Sequence, residues 1–327
     1  MEQKSIPNIP IDQEIPLPVR GSWPKAVHIF DEESAWAIRA ALAAERPLLL
    51  RGEPGTGKSQ LARAAAEAMG RLFVTEVVHA RSESQDLQWH FDAVGRLGDA
   101  QALGATDQSH KKLRRQLDQR NYLSPGALWW VFDWQSALLQ HKRGGSQYNQ
   151  PTPPENWKPE VGSVLLIDEI DKADADLPNG LLETLGNGGF SVPWLNQPIA
   201  SQSEIPTPLV VITTNEEREL PSAFVRRCLV LNLELPRQKN NFIELLVTRG
   251  KMHFKLRCHD DVYMEAAKQI WDDRQKAETQ GVTPPGQAEY IDILRVLANL
   301  ETDIKKQMEL LNNIGRFALK KHPQEHS

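Results

Sequence analysis

The sequence has little cysteine and no long apolar run. Its 327 residues include only Cys228 and Cys258, so no disulfide framework is expected, and neither cysteine has a metal-ligand neighbour at C-x-x-C spacing. No apolar run approaches membrane-spanning length, and the N-terminus is polar and proline-rich rather than basic and then apolar. These absences predict a soluble cytoplasmic protein without a signal peptide.

The sequence also lacks a strong excess of charge, since its net charge is −5. With 40% hydrophobic and 25% charged residues, the composition is that of an ordinary globular protein with one large domain or two modest ones. The mild negative charge argues against a protein that coats nucleic acid without specificity, although a local basic face is compatible with it.

One stretch, here called the phosphate loop, fits the template G-x-x-x-x-G-K-[ST] of nucleoside triphosphatases: Gly52-Glu53-Pro54-Gly55-Thr56-Gly57-Lys58-Ser59. Glycines let the chain curl so that several backbone N–H groups converge on a polyphosphate. Lys58 would reach the β- and γ-phosphates, and the Ser59 hydroxyl would be a Mg²⁺ ligand. The alternative is an accidental glycine-rich turn between a strand and a helix.

The flanks of the phosphate loop predict the strand and helix that the template requires. The apolar run 47–51 has the length of a buried strand. Residues 59–69 are rich in alanine and end before Gly70, a predicted C-cap. A helix that begins there would direct its N–H groups and its dipole at an anion. Two further helices are predicted, one over 31–45 with Asp31 as N-cap and one over 176–185 that Gly186 closes.

Short apolar runs predict four more strands, at 72–78, 164–167, 208–214 and 229–233. Their alternation with helices predicts a parallel sheet with helices on both faces. After Pro236 the pattern is helical up to Lys321, with a break at 283–286. We therefore divide the chain into an extended arm (1–26), an α/β core (27–236) with an insertion (80–162), and a C-terminal helical lid (237–327). Within the insertion, the aromatic segment 125–132 is expected in the core and 144–162 is expected to be a long irregular loop.

Polar residues follow two of the predicted strands. Asp168 and Glu169 follow 164–167, and Asn215 follows 208–214. Ligands collect at the carboxyl ends of strands in open α/β sheets, so we expect Asp168 to hold Mg²⁺, either directly or through one of its ligands. Glu169 would polarise the attacking water, and the Asn215 amide would hold that water or the γ-phosphate. The alternatives are a helix cap for the two acids and a turn-forming asparagine.

An arginine pair, Arg226 and Arg227, lies on a predicted short helix between Pro221 and the last strand. An exposed arginine pair is usually a solvated surface. A guanidinium also suits the charge of a transferring phosphoryl group, so both interpretations stay open.

Taken together and in this order, the phosphate loop, 164–169, Asn215 and 226–227, followed by a helical unit, resemble an AAA+ ATPase over about residues 27–300. The stretches 166–173 and 212–221 are most similar to the MoxR-type branch. The resemblance implies a P-loop NTPase fold with a five-stranded sheet of order 5-1-4-3-2, a helical lid, and ATP bound between core and lid. It also implies a ring, usually a hexamer, in which an arginine of one subunit completes the neighbour's site.

The resemblance assigns roles to particular residues. Arg227 matches the family's arginine finger, with Arg226 as the alternative, and Asn215 matches the sensor-1 residue. The lid arginine of the family, sensor 2, has no match at the start of the helix after 283–286. Arg295 lies about two turns later.

The insertion contains two features that are open to different interpretations. The MoxR-type branch uses such insertions to remodel clients, which makes the aromatic stretch 89–91 (Trp89, His90 and Phe91) a candidate partner-facing loop; the alternative is packing in the core. A basic run is either a solvated helix face or a contact to a polymer or a neighbouring subunit, and its members are Lys111, Lys112, Arg114, Arg115 and Arg120.

The predicted function is Mg²⁺-dependent ATP hydrolysis, coupled in a homo-oligomeric ring to chaperone-like remodelling of a partner protein. The resemblance suggests a client with a von Willebrand factor A domain. Two alternatives are a nucleic-acid-linked or restriction-type NTPase motor, including one that uses GTP, and a nucleotide-gated scaffold that does not hydrolyse. Only the basic run supports the motor, and the presence of Glu169 argues against the scaffold.

Overall fold

The computed structural model describes residues 6–104, 109–144, 148 and 150–318. The first five residues of the predicted arm, residues 105–108, 145–147 and 149 of the predicted insertion, and the predicted lid after residue 318 lie outside the described residues. Among the helices that are described, none has the length and apolar character needed to cross a membrane.

The described residues form eleven strands, which are β1 (Ile15–Leu17), β2 (Ala26–His28), β3 (Leu48–Arg51), β4 (Leu72–Val77), β5 (Trp89–Phe91), β6 (Leu123–Pro125), β7 (Ser163–Asp168), β8 (Gly189–Phe190), β9 (Ile199–Ala200), β10 (Leu209–Thr214) and β11 (Leu229–Asn232). They also form twelve α-helices, which are α1 (Glu32–Ala44), α2 (Lys58–Ala68), α3 (Ala93–Gly104), α4 (His110–Gln116), α5 (Ala127–Phe132), α6 (Trp134–Gly144), α7 (Asp176–Asn187), α8 (Ser222–Val225), α9 (Lys239–Phe254), α10 (Asp260–Gln280), α11 (Gln287–Leu300) and α12 (Ile304–Ala318).

The chain divides into two units. The first comprises the residues up to 13 together with 30–51 and 61–231, and the second comprises 14–29, 52–60 and the chain from 232 onward. The phosphate loop therefore belongs to the same unit as the C-terminal helices.

A parallel five-stranded sheet of order β11-β3-β10-β7-β4 forms the centre of the first unit. Numbered along the sequence, these strands have the order 5-1-4-3-2, so the predicted order is confirmed. In β10, Ile212 pairs with Leu49 of β3 on one side and with Ile167 of β7 on the other. Residues 209–214 are all buried, which explains why this strand is a continuous apolar run. Because β3, β7 and β10 are parallel, their carboxyl ends lie at one edge of the sheet.

Two helix ends test the predicted caps. Asp31 is the N-cap of α1, and its side chain accepts a hydrogen bond of 2.7 Å from the Ser34 backbone N–H, as predicted. The predicted end of α7 at Gly186 is wrong, because the helix continues to Asn187. Gly188 closes it with a left-handed φ of 59°, and its N–H donates to carbonyls of the last turn.

The insertion is mostly packed structure. All six residues of α5 are buried, which confirms that the aromatic segment belongs to the core. Trp89 is also buried, with its ring 5.3 Å from that of Trp194, and Phe91 stacks on the same indole at 4.4 Å. These contacts favour the core interpretation of the 89–91 stretch. Residues 150–158 form neither helix nor strand, in keeping with the predicted irregular loop.

The basic run lies mainly on α4, where four of its five members, Lys111, Lys112, Arg114 and Arg115, are exposed. Arg120 lies outside α4 and pairs with Asp118 at 2.7 Å. This arrangement is that of a solvated helix face.

The second unit is a helical assembly with a small hairpin. Helices α9 to α12 share one apolar core, which includes Tyr263, Tyr290 and Leu294. Residues 15–17 of the segment predicted as an extended arm form β1, which pairs antiparallel with β2, and Ile15 lies opposite His28.

Candidate functional site

The phosphate loop has a backbone that only glycine adopts readily. Gly52, Gly55 and Gly57 have φ values of 144°, 79° and 97°. A Cβ added to Gly55 would lie 2.8 Å from the Ala288 Cβ, and one added to Gly52 would collide with the Leu233 carbonyl. The glycines therefore provide both the curl of the loop and its close approach to the C-terminal part of the same unit.

Lys58 is the first residue of α2, and its side chain is held within the curl of the loop. Although the residue is only 7% exposed, its Nζ donates hydrogen bonds to the carbonyl oxygens of Gly52 and Glu53 at 2.7 and 2.9 Å. Thr56 Oγ1 donates to the same Glu53 carbonyl at 3.0 Å. A buried ammonium beside a helix N-terminus is a setting that favours an anion, so the loop fits a polyphosphate.

An arginine of the C-terminal helices contacts the loop. Arg274 of α10 is 8% exposed, and its Nη2 lies 2.8 Å from both carboxylate oxygens of Glu53. The second residue of the phosphate loop is thus ion-paired to a buried guanidinium.

At the carboxyl ends of β7 and β10, four residues form what we call the strand-end cluster: Asp168, Glu169, Thr213 and Asn215. The Thr213 hydroxyl donates to Asp168 Oδ1 at 2.5 Å and accepts from the Glu169 backbone N–H at 2.9 Å. Thr213 is fully buried in β10, so its hydroxyl links the two strands.

Glu169 has the left-handed backbone conformation, with a φ of 60° and a ψ of 48°. Asn215 Nδ2 donates to its Oε1 at 3.3 Å, and Lys172 Nζ lies 3.0 Å from its Oε2. The hydrogen bond with Glu169 and the negative charge of that carboxylate raise the pKa of Lys172. The predicted pair of Glu169 and Asn215 is therefore in contact, and both carboxylate oxygens have a donor.

A buried acid, Asp171, joins the same two strand ends. Its Oδ1 accepts from the Asn215 backbone N–H at 3.4 Å, and its Oδ2 accepts from the Glu217 N–H at 2.9 Å. Asp171 is 2% exposed, and it fixes the turn that presents Asn215.

The arginine pair follows α8 rather than lying on it, because the helix ends at residue 225. Both side chains are exposed. Their carbonyl oxygens accept hydrogen bonds from the guanidinium of Arg46, with Nε 2.9 Å from the Arg227 oxygen. Arg226 also lines a groove of about 510 Å³ together with Arg51. The backbone of the pair is thus anchored within the first unit.

A family model described as AAA domain (dynein-related subfamily) matches residues 47–228, which is more than half of the chain. The match spans the phosphate loop, the strand-end cluster and the arginine pair. The chain belongs to this AAA family. None of the curated proteins compared with the chain matches it.

As an AAA protein, the chain has the nucleotide-binding domain of a family whose members are generally ATPases and commonly form rings. The match ends at residue 228, so the helices α9 to α12 lie beyond it.

Three residues that contact the predicted site residues of this AAA protein were not anticipated. Thr213 and Asp171 belong to the polar runs at the two strand ends. A hydroxyl or a carboxylate this close to a buried strand was the sequence feature that could have indicated them as site residues. Arg274 lies between the buried Ile270 and Ala277 of α10, so its helical spacing marked it as an inward-facing cation.

Arg295, which sequence reasoning considered for the sensor-2 role, is exposed on α11. Its Nη1 lies 2.5 Å from Asp292 Oδ1, one turn earlier in the same helix. Within the described residues, it is Arg274, and not Arg295, that forms an ion pair with the phosphate loop.

Proposed function

We propose that this AAA protein binds ATP at the phosphate loop and hydrolyses it with the strand-end cluster, as an AAA+ ATPase of the MoxR-type branch. The observation that carries the proposal is the Glu169 carboxylate, which Asn215 and Lys172 orient through its two oxygens. The sheet supports a joint role for the loop and the cluster. β3 continues into the loop at Gly52, and β3, β7 and β10 end at one edge.

The loop residues supply the binding of the polyphosphate. The Lys58 ammonium neutralises charge on the β- and γ-phosphates, and the backbone N–H groups from Gly55 to Ser59 donate to their oxygens. The Ser59 hydroxyl and the Asp168 carboxylate are the oxygen ligands that Mg²⁺ prefers. Bound Mg²⁺ would neutralise the charge that develops on the phosphate oxygens.

Glu169 accepts the proton of the attacking water, and Asn215 fixes the carboxylate that does so. A positioned general base contributes about 10²–10⁴-fold to a rate. Thr213 binds both the Asp168 carboxylate and the Glu169 N–H, so it holds the proposed metal-binding acid and the backbone of the proposed base together.

The arginine pair supports completion of the site by a second subunit. We assign the finger role to Arg227, with Arg226 as the alternative, because both side chains are exposed while Arg46 holds their carbonyls. A guanidinium in this role contributes about 10³–10⁵-fold to phosphoryl transfer. The homo-oligomer would be a ring, most simply a hexamer, and its output would be remodelling of a client protein, for which the MoxR-type resemblance suggests a von Willebrand factor A domain.

The proposal is tested by comparing the purified chain with Lys58→Ala. We expect the unaltered protein to bind a fluorescent ATP analogue and to release phosphate from ATP in the presence of Mg²⁺ but not of EDTA. Lys58→Ala should lose both activities, whereas Lys112→Ala on the exposed face of α4 should keep them. A protein that does not bind ATP contradicts the proposal. A rate that nucleic acid stimulates in a salt-dependent way would favour the motor alternative instead.

A further inference from the structure

Glu53 places a negative charge inside a loop that has to bind a polyphosphate. Like charges repel, and the repulsion is strongest where water is partly excluded. The Glu53 side chain is about half exposed and points at the guanidinium of Arg274, whose Nη2 lies 2.8 Å from each carboxylate oxygen. In the part of the chain that the structure describes, the ion pair of this carboxylate is the one with Arg274 of α10.

Arg274 is held too firmly to be an incidental surface contact. Its side chain is 10% exposed, its Nε lies 3.2 Å from Glu278 Oε1, and its Nη1 donates to the Pro285 carbonyl at 3.3 Å. The guanidinium carbon also lies 5.8 Å from the centre of the Phe242 ring. Burying a guanidinium costs free energy unless its charge is paired. These contacts therefore hold the planar guanidinium of Arg274 in position to pair with Glu53.

The ion pair acts at a place where the loop already approaches the C-terminal residues of its own unit. Gly55 faces the Ala288 methyl group, and Gly52 faces the Leu233 carbonyl, both so closely that a Cβ would collide. Glu53 lies between these two glycines, so its ion pair acts on the part of the loop that makes these close approaches.

We propose that Arg274 is a positioning residue of the nucleotide site, which neutralises Glu53 and fixes the second residue of the phosphate loop. This inference rests on the proposed function, namely that the loop binds a nucleoside triphosphate. Because Arg274 acts through Glu53, the loss of Arg274 should weaken nucleotide binding only while the Glu53 carboxylate is present.

The experiment is a double-mutant cycle with Arg274→Gln, Glu53→Gln and both together. The readouts are the Kd of a fluorescent ADP analogue and the thermal unfolding midpoint, neither of which requires turnover. Arg274→Gln should weaken binding about tenfold, a change that corresponds to ~1.4 kcal/mol. The double variant should bind like Glu53→Gln and more tightly than Arg274→Gln, because the second substitution removes the uncompensated charge and so restores affinity.

The matched control is Glu278→Gln, which removes the other carboxylate partner of Arg274 without touching the loop. It should lower the unfolding midpoint as Arg274→Gln does while nucleotide affinity stays unchanged. A merely structural Arg274 predicts instead that affinity follows stability in both variants and that Glu53→Gln restores nothing.

Two results would overturn the positioning role: an Arg274→Gln variant with unaltered affinity, or a double variant as weak as Arg274→Gln. If Arg274→Gln does not fold, Arg274→Lys tests the same geometry, because an ammonium lacks the planar fork by which Nη2, Nε and Nη1 reach three separate partners. Its affinity should fall and should be restored by Glu53→Gln. If the unaltered protein and Lys58→Ala bind nucleotide equally poorly, the proposed function fails, and the positioning role fails with it.

Discussion

The hydroxyl of Thr213 donates a hydrogen bond of 2.5 Å to Asp168 Oδ1 and accepts one of 2.9 Å from the backbone N–H of Glu169. Asp168 ends β7 and Thr213 lies in the neighbouring β10, so one buried hydroxyl ties together the two strand ends that carry the proposed chemistry. This threonine thus links the side chain of Asp168 to the backbone of Glu169.

Thr213→Val tests this tie. The variant keeps the shape of the side chain but leaves the Glu169 N–H without its acceptor, which should cost about 1–3 kcal/mol of stability. The Mg²⁺-dependent rate should fall about 10–100-fold, as is typical when the support of a metal ligand is removed. Thr213→Ser retains the hydroxyl and should stay near the unaltered rate in the same phosphate-release assay. Equal rates for the two variants would contradict the role of the hydroxyl.

Substitutions at Gly55 and Gly57 distinguish two sources of destabilisation in the phosphate loop, backbone strain and steric collision. Both have positive φ, so Gly55→Ala and Gly57→Ala each require a left-handed residue that costs about 1–2 kcal/mol. Only at Gly55 would the new Cβ press on Ala288, at 2.8 Å, while at Gly57 no described heavy atom lies within 4 Å of it. Nucleotide affinity should therefore fall further in Gly55→Ala. Ala288→Gly should recover part of the loss in Gly55→Ala and none in Gly57→Ala; an equal effect on both variants would argue against the contact.

Glu76 on β4 makes stability depend on pH. Burial, and secondly the charge of Asp86, raises the pKa of Glu76 from 4.5 to about 7. The folded chain thus holds this proton more tightly than the unfolded chain, so the stabilisation is complete below the unfolded pKa and is lost as pH rises through about 7. Glu76→Gln lacks this loss and should be more stable than the parent at pH 8, by on the order of 2 kcal/mol.

The measurement is denaturant unfolding of both proteins at pH 5 and pH 8. The advantage of Glu76→Gln should shrink at pH 5, where the parent glutamate is protonated when folded. The pKa of the nearby His90, 3.7 Å from Asp86, is lowered by its burial. Because His90 is present in both proteins, the comparison between them isolates Glu76. A difference that does not change with pH would show that Glu76 titrates normally.

Much of the fold followed from local patterns in the sequence. Short apolar runs marked the strands of the central sheet, and the glycine spacing marked the loop whose positive φ values require that residue. The chemistry-bearing residues Asp168, Glu169 and Asn215 were found because polar side chains that end buried strands are conspicuous. These features depend on neighbouring residues in the chain, so a pattern is enough to reveal them.

Contacts between distant residues were not predictable in the same way. The partner of Thr213 depends on the register between β7 and β10, which pairs Ile212 with Ile167. Arg274 stood at an inward-facing position of its helix, but its partner Glu53 lies 221 residues earlier. The end of α7 was predicted at the wrong residue for a simpler reason. Gly186 and Gly188 are both suitable C-caps, and the left-handed conformation is adopted by Gly188.

The proposed ring is tested by mixing inactive subunits. Arg227→Ala alone should lower hydrolysis by about 10³-fold or more, as should any variant that removes the finger. Rings that combine Arg227→Ala with Lys58→Ala should regain some activity, since one interface can contain an intact Arg227 and an intact phosphate loop. The same mixing with Arg226→Ala identifies which arginine serves. No recovery in verified mixed rings would contradict action between subunits.

The replacement of Glu169 by Gln tests the central claim most directly, because it keeps the size of the side chain and removes the carboxylate that would accept the proton. ATP binding and ATP hydrolysis are measured on the same preparation, with Glu183→Gln on the exposed face of α7 as a control that should behave like the parent. We predict that Glu169→Gln binds ATP with unaltered affinity and hydrolyses it at least about 10²-fold more slowly. A Glu169→Gln protein as active as the parent would contradict the assignment of Glu169 as the base.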